Sequence, residues 1–179
     1  MKKKILLTIG IATLIIVLTP KRVYEKPYYD FLEWKSLRDK IVWKENIKLK
    51  WEDFKSINPG YEFDLNASVG LSIRYFTNPI SFESKTVFMP NESYVKNTND
   101  TINLRISLAK FNLLEIYRRK MSGFIMNLKR NNIDTLKTLD FDNMNLRYYE
   151  MFEKEWEAYL DVQSEPKSLK NLENKIKLE

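Results

Sequence analysis

The sequence contains neither histidine nor cysteine among its 179 residues. Without cysteine, the chain forms no disulfide bond and no thiolate metal site, and it carries no lipid-modified N-terminal cysteine. Without histidine, it lacks the commonest general base and the commonest zinc ligand. A zinc site built on histidine is therefore excluded, and we expect no cofactor.

An excess of positive charge is confined to the N-terminus. The chain has 30 basic and 24 acidic residues, a net charge of +6. Five of the basic residues and no acidic residue lie within positions 1–22, so the remainder is almost neutral. A nucleic-acid partner would require a basic patch on the folded part of the chain. We therefore expect no nucleic-acid binding.

The longest apolar run, Ile5–Leu18, follows three lysines near the N-terminus. This arrangement is typical of a secretory signal. The run is shorter than the roughly 20 apolar residues of a full membrane span. No A-x-A-like cleavage site follows, and Pro20 occupies the expected position of cleavage. Residues 1–22 are thus either a cleaved signal peptide or an uncleaved signal anchor, with a buried cytosolic helix as a third interpretation.

Either signal interpretation predicts an exported protein of the cell envelope. The chain would be anchored to the membrane by residues 5–19, or secreted after cleavage. We expect residues 23–44 to form a tether followed by a short helix over Tyr28–Trp43, and residues 45–179 to form one domain. Lys21–Pro27 is the predicted tether.

The middle of the chain predicts a small antiparallel sheet. Val69–Tyr75 alternates apolar and polar residues and is the clearest strand. Glu83–Met89 is its expected partner. Leu49–Phe54 also alternates and predicts a strand, Asn58–Gly60 a turn, and Pro90–Asp100 a loop.

The longest predicted helix is Ile102–Arg130, which contains no proline. Its apolar residues recur at steps of three and four, as on one face of a helix. This face comprises Ile106, Lys110, Leu113, Tyr117, Met121, Phe124 and Leu128, and the opposite face comprises Leu104, Leu108 and Phe111. A helix that is apolar on two sides is usually the buried centre of a domain.

Two further helices are expected after Asn131. The first has an apolar side made of Leu146, Tyr149, Phe152, Trp156, Tyr159 and Leu160, and the second one made of Leu169, Leu172 and Ile176. The predicted fold class is therefore α+β, with a small antiparallel sheet packed on a long central helix and with further C-terminal helices.

Four segments in order resemble an exported bacterial family of predicted zinc-dependent proteases. Leu49–Phe54 matches the L-x-W-x-D-F segment of that family, and Asn66–Tyr75 resembles its alanine-containing strand that ends in I-x-Y. Ser93-Tyr94-Val95 stands where the family has S-W-V. Phe111–Met121 follows the second half of its helix, L-L-x-H-E-Q-x-H-F-D-x-x-E-x-Y-x-R-x-L. The resemblance covers roughly residues 45–130 and implies a zincin-like fold.

The family's metal motif is degenerate in this chain. Its two histidines would fall at Ile106 and Lys110, and its catalytic glutamate at Ser107. An H-E-x-x-H helix works because residues i and i+4 share one face and grip one zinc ion beside the glutamate base. Isoleucine cannot ligate a metal, and a charged lysine repels one. The chain therefore resembles a pseudo-peptidase, with no catalytic and no metal-binding residue at these positions.

Lys110 has two interpretations. Its stem packs in the core while its ammonium reaches the edge, or its ammonium occupies the former metal position and pairs with a carboxylate. A Ser107–Lys110 nucleophile is formally possible, although an apolar helix offers no oxyanion hole. The residues of a possible binding cleft are Lys110, Tyr117, Glu115 and Tyr94. Glu115 and Arg119 are most simply a surface pair, and Glu150, Glu153, Glu155 and Glu157 solvated helix flanks.

These observations predict a non-catalytic function. We expect an exported and membrane-anchored domain that binds a protein, a peptide or an envelope component in the inherited cleft. One alternative is a hydrolase with a non-zinc site, which requires carboxylates that converge beside Lys110. The other is a structural envelope protein, which requires that no cleft persists.

Overall fold

The computed structural model describes residues 22–54, 64–165 and 167–179. The chain divides into two units, Met1–Arg38 and Asp39–Glu179. Residues 1–21 of the predicted signal segment, residues 1–22, and the predicted turn at 58–60 lie outside the described residues. In the described part of the chain, no helix combines the length and the apolar character that crossing a membrane requires.

Helix α1, Arg22–Leu37, belongs to the first unit. It contains residues 22–27 of the predicted tether, so the prediction is wrong for these residues. Pro27 lies inside the helix, where it removes one backbone hydrogen bond without ending the helix. Phe31 and Trp34 stack at 5.9 Å on its surface, and both are exposed.

The strands of the second unit form two antiparallel sheets. They are β1 (Ile41–Val42), β2 (Leu65–Asn66), β3 (Val69–Thr77), β4 (Ile80–Phe88) and β5 (Tyr94–Val95). One sheet has the order β1-β4-β3, and the other pairs β2 with β5.

The predicted hairpin is confirmed and is longer than its sequence pattern. Val69 pairs with Phe88 and Thr77 with Ile80, and the cis peptide bond of Asn78-Pro79 lies in the turn. Ile41–Val42, predicted as the end of a helix, is a strand because it pairs with Phe88 and Val87 of β4.

Two predictions for the connecting segments are wrong. Leu49–Phe54 is not a strand, because Trp51–Asp53 forms a 3-10 turn whose Asp53 carboxylate accepts a hydrogen bond from the Lys50 backbone N–H at 2.7 Å. Such local side-chain bonds compete with sheet pairing. The predicted loop after β4 contains strand β5, which pairs with β2.

Three helices follow: α2 (Thr101–Arg130), α3 (Thr138–Asp161) and α4 (Ser168–Leu178). All three predicted helices are confirmed. Asp100 caps α2, since its carboxylate accepts a hydrogen bond from the Ile102 N–H at 2.9 Å. Helix α2 contacts strands β3 and β4 and helices α3 and α4, and it is the central element of the unit.

The core lies where these elements meet α2. Phe88 of β4, Phe111 of α2 and Phe152 of α3 are fully buried. A second cluster joins the hairpin to the later part of α2 and comprises Ile80, Met121, Ile125, Phe141 and Met144. The apolar side predicted for α3 is wrong at its N-terminal end, because Leu146 is 56% exposed while Phe141 and Met144 are buried.

The fold class is α+β, as predicted, with a small antiparallel sheet packed on a long central helix and with further C-terminal helices.

Candidate functional site

Two of the three positions that the sequence comparison singled out, Ile106 and Lys110, lie at an open cavity on one face of α2. Ile106 and Lys110, one turn apart, both line it, and the cavity has a volume of ≈ 420 Å³. The other walls come from β2 and its neighbours and from the end of α3. The full lining is Asp64, Leu65, Asn66, Ala67, Asn103, Ile106, Lys110, Trp156, Leu160 and Gln163.

The ammonium group of Lys110 faces an aromatic ring rather than a carboxylate. Its Nζ lies 5.3 Å from the centroid of the Trp156 ring, which is a cation–π distance. Burial lowers the pKa of Lys110, and the charge of Glu153 partly opposes this shift. Among the described residues no acidic side chain forms an ion pair with Lys110, so the predicted pairing is not found there and Trp156 is its partner.

Ser107 faces the interior of the protein and is not among the residues that line the cavity. It is fully buried, and its Oγ donates a hydrogen bond to the Asn103 carbonyl at 2.8 Å. The hydroxyl proton of a serine that donates to the carbonyl of the preceding helical turn is already used in that hydrogen bond. The formal Ser107–Lys110 nucleophile therefore has no support in the geometry.

Glu115 and Arg119 form the predicted pair, but the prediction that Glu115 lies at the surface is wrong. Its side chain is buried and accepts hydrogen bonds from Thr86 at 2.8 Å, from Arg118 at 2.7 Å and from Arg119 at 2.8 Å. Burial raises the pKa of Glu115, but the hydrogen bonds and the charge of Arg118 outweigh it, and the net shift is downward. The packing of β4 on α2 encloses this carboxylate.

Tyr117 also lies away from the cavity. Its hydroxyl donates to Glu155 Oε2 of α3 at 2.6 Å, and Lys175 of α4 lies 2.7 Å from Glu155 Oε1. Burial and the neighbouring carboxylate raise the pKa of Tyr117. Glu155 is therefore not a solvated flank as predicted, and it joins the three helices.

Tyr94 is buried in β5 opposite Asn66, which lines the cavity. Of the four predicted cleft residues, only Lys110 lines the cavity; Tyr94, Glu115 and Tyr117 lie behind its walls or on other faces of α2. Sequence reasoning missed Asp64, Leu160 and Gln163 as lining residues. Nothing in the local pattern marks them, because they meet Lys110 only through the packing of β2 and α3 on α2.

In the described part of the chain, no group of three or more acidic side chains is placed to hold a metal ion. The described residues of the lining supply one carboxylate, Asp64, one ammonium group and three side-chain amides. Such a lining can recognise a ligand through hydrogen bonds and charge. It holds no activated nucleophile of the usual kinds.

Comparison of the chain with protein-family models, with curated proteins and with solved structures finds no match.

Proposed function

We propose that this chain is a non-catalytic binding domain, a pseudo-peptidase that holds an extended protein segment in the cavity at Ile106 and Lys110. One observation carries the proposal: Ile106 and Lys110, two of the three degenerate metal positions, border an open cavity of ≈ 420 Å³. Export and anchoring through the N-terminal segment are part of the same proposal and rest on the sequence pattern alone.

The wall formed by β2 suits an extended peptide. The Lys96 N–H donates to the Asp64 carbonyl at 2.9 Å, so these two residues form a hydrogen-bonded antiparallel pair. Hydrogen-bonded and non-hydrogen-bonded pairs alternate along antiparallel strands, so the N–H and C=O groups of the next residue, Leu65, point away from β5. A peptide laid beside β2 can use these groups, as in strand addition to a sheet edge.

The side chains of the cavity favour a segment that carries an acidic group. Lys110 supplies a cation without a carboxylate partner among the described residues, while Asn66, Asn103 and Gln163 supply amides. Ile106, Trp156 and Leu160 provide apolar contact. An acidic side chain or a C-terminal carboxylate beside Lys110 would compensate its burial.

The two alternatives have weaker support. A hydrolase with a non-zinc site requires carboxylates that converge beside Lys110, but Asp64 is the one acidic residue of the described lining, and it pairs with Lys96 at 3.3 Å. A purely structural envelope protein is favoured by a filled cleft, and the cavity is open.

Site-specific photocrosslinking tests the proposal. The full-length chain carries benzoylphenylalanine at Leu160, which lines the cavity, or at Leu146 as a control. Both leucines are exposed and lie on α3, and Leu146 is not among the cavity residues. In host cell envelopes we expect a reproducible protein crosslink at position 160 that is absent at position 146 and lost with Lys110→Glu.

Equal crosslinks at the two positions, or none at position 160, would contradict the proposal. Mass spectrometry of the captured chain separates the catalytic alternative. An intact partner supports binding, whereas a partner cut near its crosslinked residue would favour a hydrolase.

A further inference from the structure

On the face of α2 that carries Glu115, two positively charged side chains contact one buried carboxylate. Glu115 is 4% exposed and accepts four hydrogen bonds, three of them from Arg118 and Arg119. Two guanidinium groups thus surround one carboxylate. This group of three side chains therefore carries a net charge of +1.

Arg118 is fully engaged. Its Nε and Nη2 each donate to Glu115 at 2.7 Å, and its Nη1 lies 3.3 Å from the carbonyl and hydroxyl oxygens of Ser84 and from Ser122 Oγ. Arg119 uses only its Nε, which donates to Glu115 at 2.8 Å. In the part of the chain that the structure describes, its two terminal nitrogens have no hydrogen-bond partner, and the side chain is 52% exposed.

The orientation of Arg119 is nevertheless fixed. Its guanidinium carbon lies 4.8 Å from the centroid of the Trp43 ring, and the indole N–H of Trp43 donates to Asn112 Oδ1 at 2.8 Å. The cation–π contact with Trp43 and the Nε hydrogen bond to Glu115 together restrain the orientation of the guanidinium group. A guanidinium group held this way presents two parallel donors that match an oxyanion.

Two cavities share Trp43, Glu115 and Arg119 as lining residues. The smaller, of ≈ 260 Å³, is otherwise lined mainly by cations and hydroxyls, including Lys85, Arg118 and Ser84. The larger, of ≈ 520 Å³, has an apolar wall made of Ile47, Leu108, Ile116 and Ile176. Its other charged lining residues are two cations, Lys48 and Lys177, and two anions, Glu45 and Glu179, so their charges cancel.

From these contacts we infer that Arg119 anchors a second binding site, which takes a small oxyanion, a phosphate or carboxylate group, attached to an apolar body. The oxyanion binds the terminal nitrogens of Arg119 in the smaller cavity, and the apolar body lies against Leu108 and Ile116 in the larger one. A bound anion would also complete the charge balance of the two arginines with Glu115. The site uses a different face of α2 from Ile106 and Lys110 and does not depend on the proposed function.

Calorimetric titration of the full-length chain in a nonionic detergent tests this site. The probes are inorganic phosphate, acetate and phenyl phosphate at constant ionic strength. We expect saturable binding of phosphate or acetate, and tighter binding of phenyl phosphate than of phosphate. Arg119→Gln should weaken binding by about tenfold or more, as the loss of charge-assisted hydrogen bonds predicts. Arg130→Gln, which removes an exposed arginine of the same helix, should leave it unchanged.

Absence of saturable binding for all three probes would overturn the inference, as would equal affinities for the parent and Arg119→Gln. Phenyl phosphate that binds no tighter than phosphate would overturn the apolar part of the site. Circular dichroism establishes that each variant is folded. If Arg119→Gln does not fold, Arg119→Lys decides, because it keeps the charge but loses the fork, and unchanged affinity in that variant would overturn the site.

Discussion

Lys110 and Glu115 are five residues apart on one helix, and their environments are opposite. Lys110 borders a cavity, and burial lowers its pKa while Trp156 lies beside its ammonium group. Glu115 is enclosed by Thr86, Arg118 and Arg119, and its pKa is lowered because these groups stabilise the carboxylate. At the scale of single residues, the charge of Glu115 is compensated by its hydrogen-bond donors, whereas the charge of Lys110 has an aromatic ring as its neighbour.

Lys110→Met tests whether Lys110 stabilises the fold. Removing one partner of a buried ion pair costs about 3–5 kcal/mol. Because the contact of Lys110 is with a ring, we expect the free energy of unfolding to change by no more than about 1 kcal/mol. Urea unfolding of the variant measures this, with Lys154→Met, an exposed lysine of α3, as the control. A loss of 3 kcal/mol or more, absent from the control, would indicate a carboxylate partner.

At the scale of elements, α2 connects the sheet to the other helices. Phe111 packs on Phe88 of β4, with ring centroids 6.1 Å apart, and Tyr117 bonds to Glu155 of α3. Its predicted apolar faces are confirmed at Phe111, Leu113, Tyr117 and Met121, which are buried, and are wrong at Phe124, which is 45% exposed. The helix is therefore most buried in its middle, from Ser107 to Tyr117, and less so towards both ends.

Phe111→Ala and Phe124→Ala compare these two regions of α2. Phe111 is 0% exposed, so its truncation leaves a cavity between α2 and β4 and should cost about 3–5 kcal/mol. Phe124→Ala removes a ring that is nearly half exposed and should cost less, about 1 kcal/mol. Thermal or urea unfolding of both variants measures the difference. Similar losses in the two variants would mean that the burial assigned to α2 is wrong.

At the scale of the whole molecule, the titrating groups with shifted pKa values define a range of maximal stability. Glu115 and Glu155 have lowered pKa values. Their contribution is complete above the ordinary carboxyl pKa of 4.5 and is lost as the pH falls through the lower folded values. Tyr117, Tyr149 and Tyr159 have raised pKa values, so their contribution is present below pH 10.0 and is lost at higher pH.

Urea unfolding as a function of pH checks both limits. We expect a plateau of stability between about pH 5 and pH 9, with a decrease on the acid side and a decrease on the alkaline side that the lowered pKa of Lys110 partly offsets. Tyr117→Phe should reduce the alkaline decrease. It should also weaken the acid limb in part, because Tyr117 helps to lower the pKa of Glu155, whereas Glu115 still titrates. An alkaline limb that is identical in the parent and in Tyr117→Phe would show that the Tyr117–Glu155 contact does not contribute.

The regular elements were predictable because their signals are local. The alternation of β3 and the spacing of α2 follow from the repeat of a strand and of a helix. The strand predicted at Leu49–Phe54 failed because Asp53 bonds to the local backbone, and β5 was missed because two residues carry no period. The zincin-like assignment, the signal segment and export stay predictions.

The sequence by itself determined that no histidine or thiolate takes part in any chemistry here, since composition does not depend on folding. It also determined the α+β class through local periodicity. Only the tertiary structure decided that Glu115 is enclosed and Glu155 partly buried, that Lys110 meets Trp156, and that Asp64 and Gln163 share its cavity. The physical reason is that the solvation and pairing of a charge depend on elements distant in sequence that pack around it.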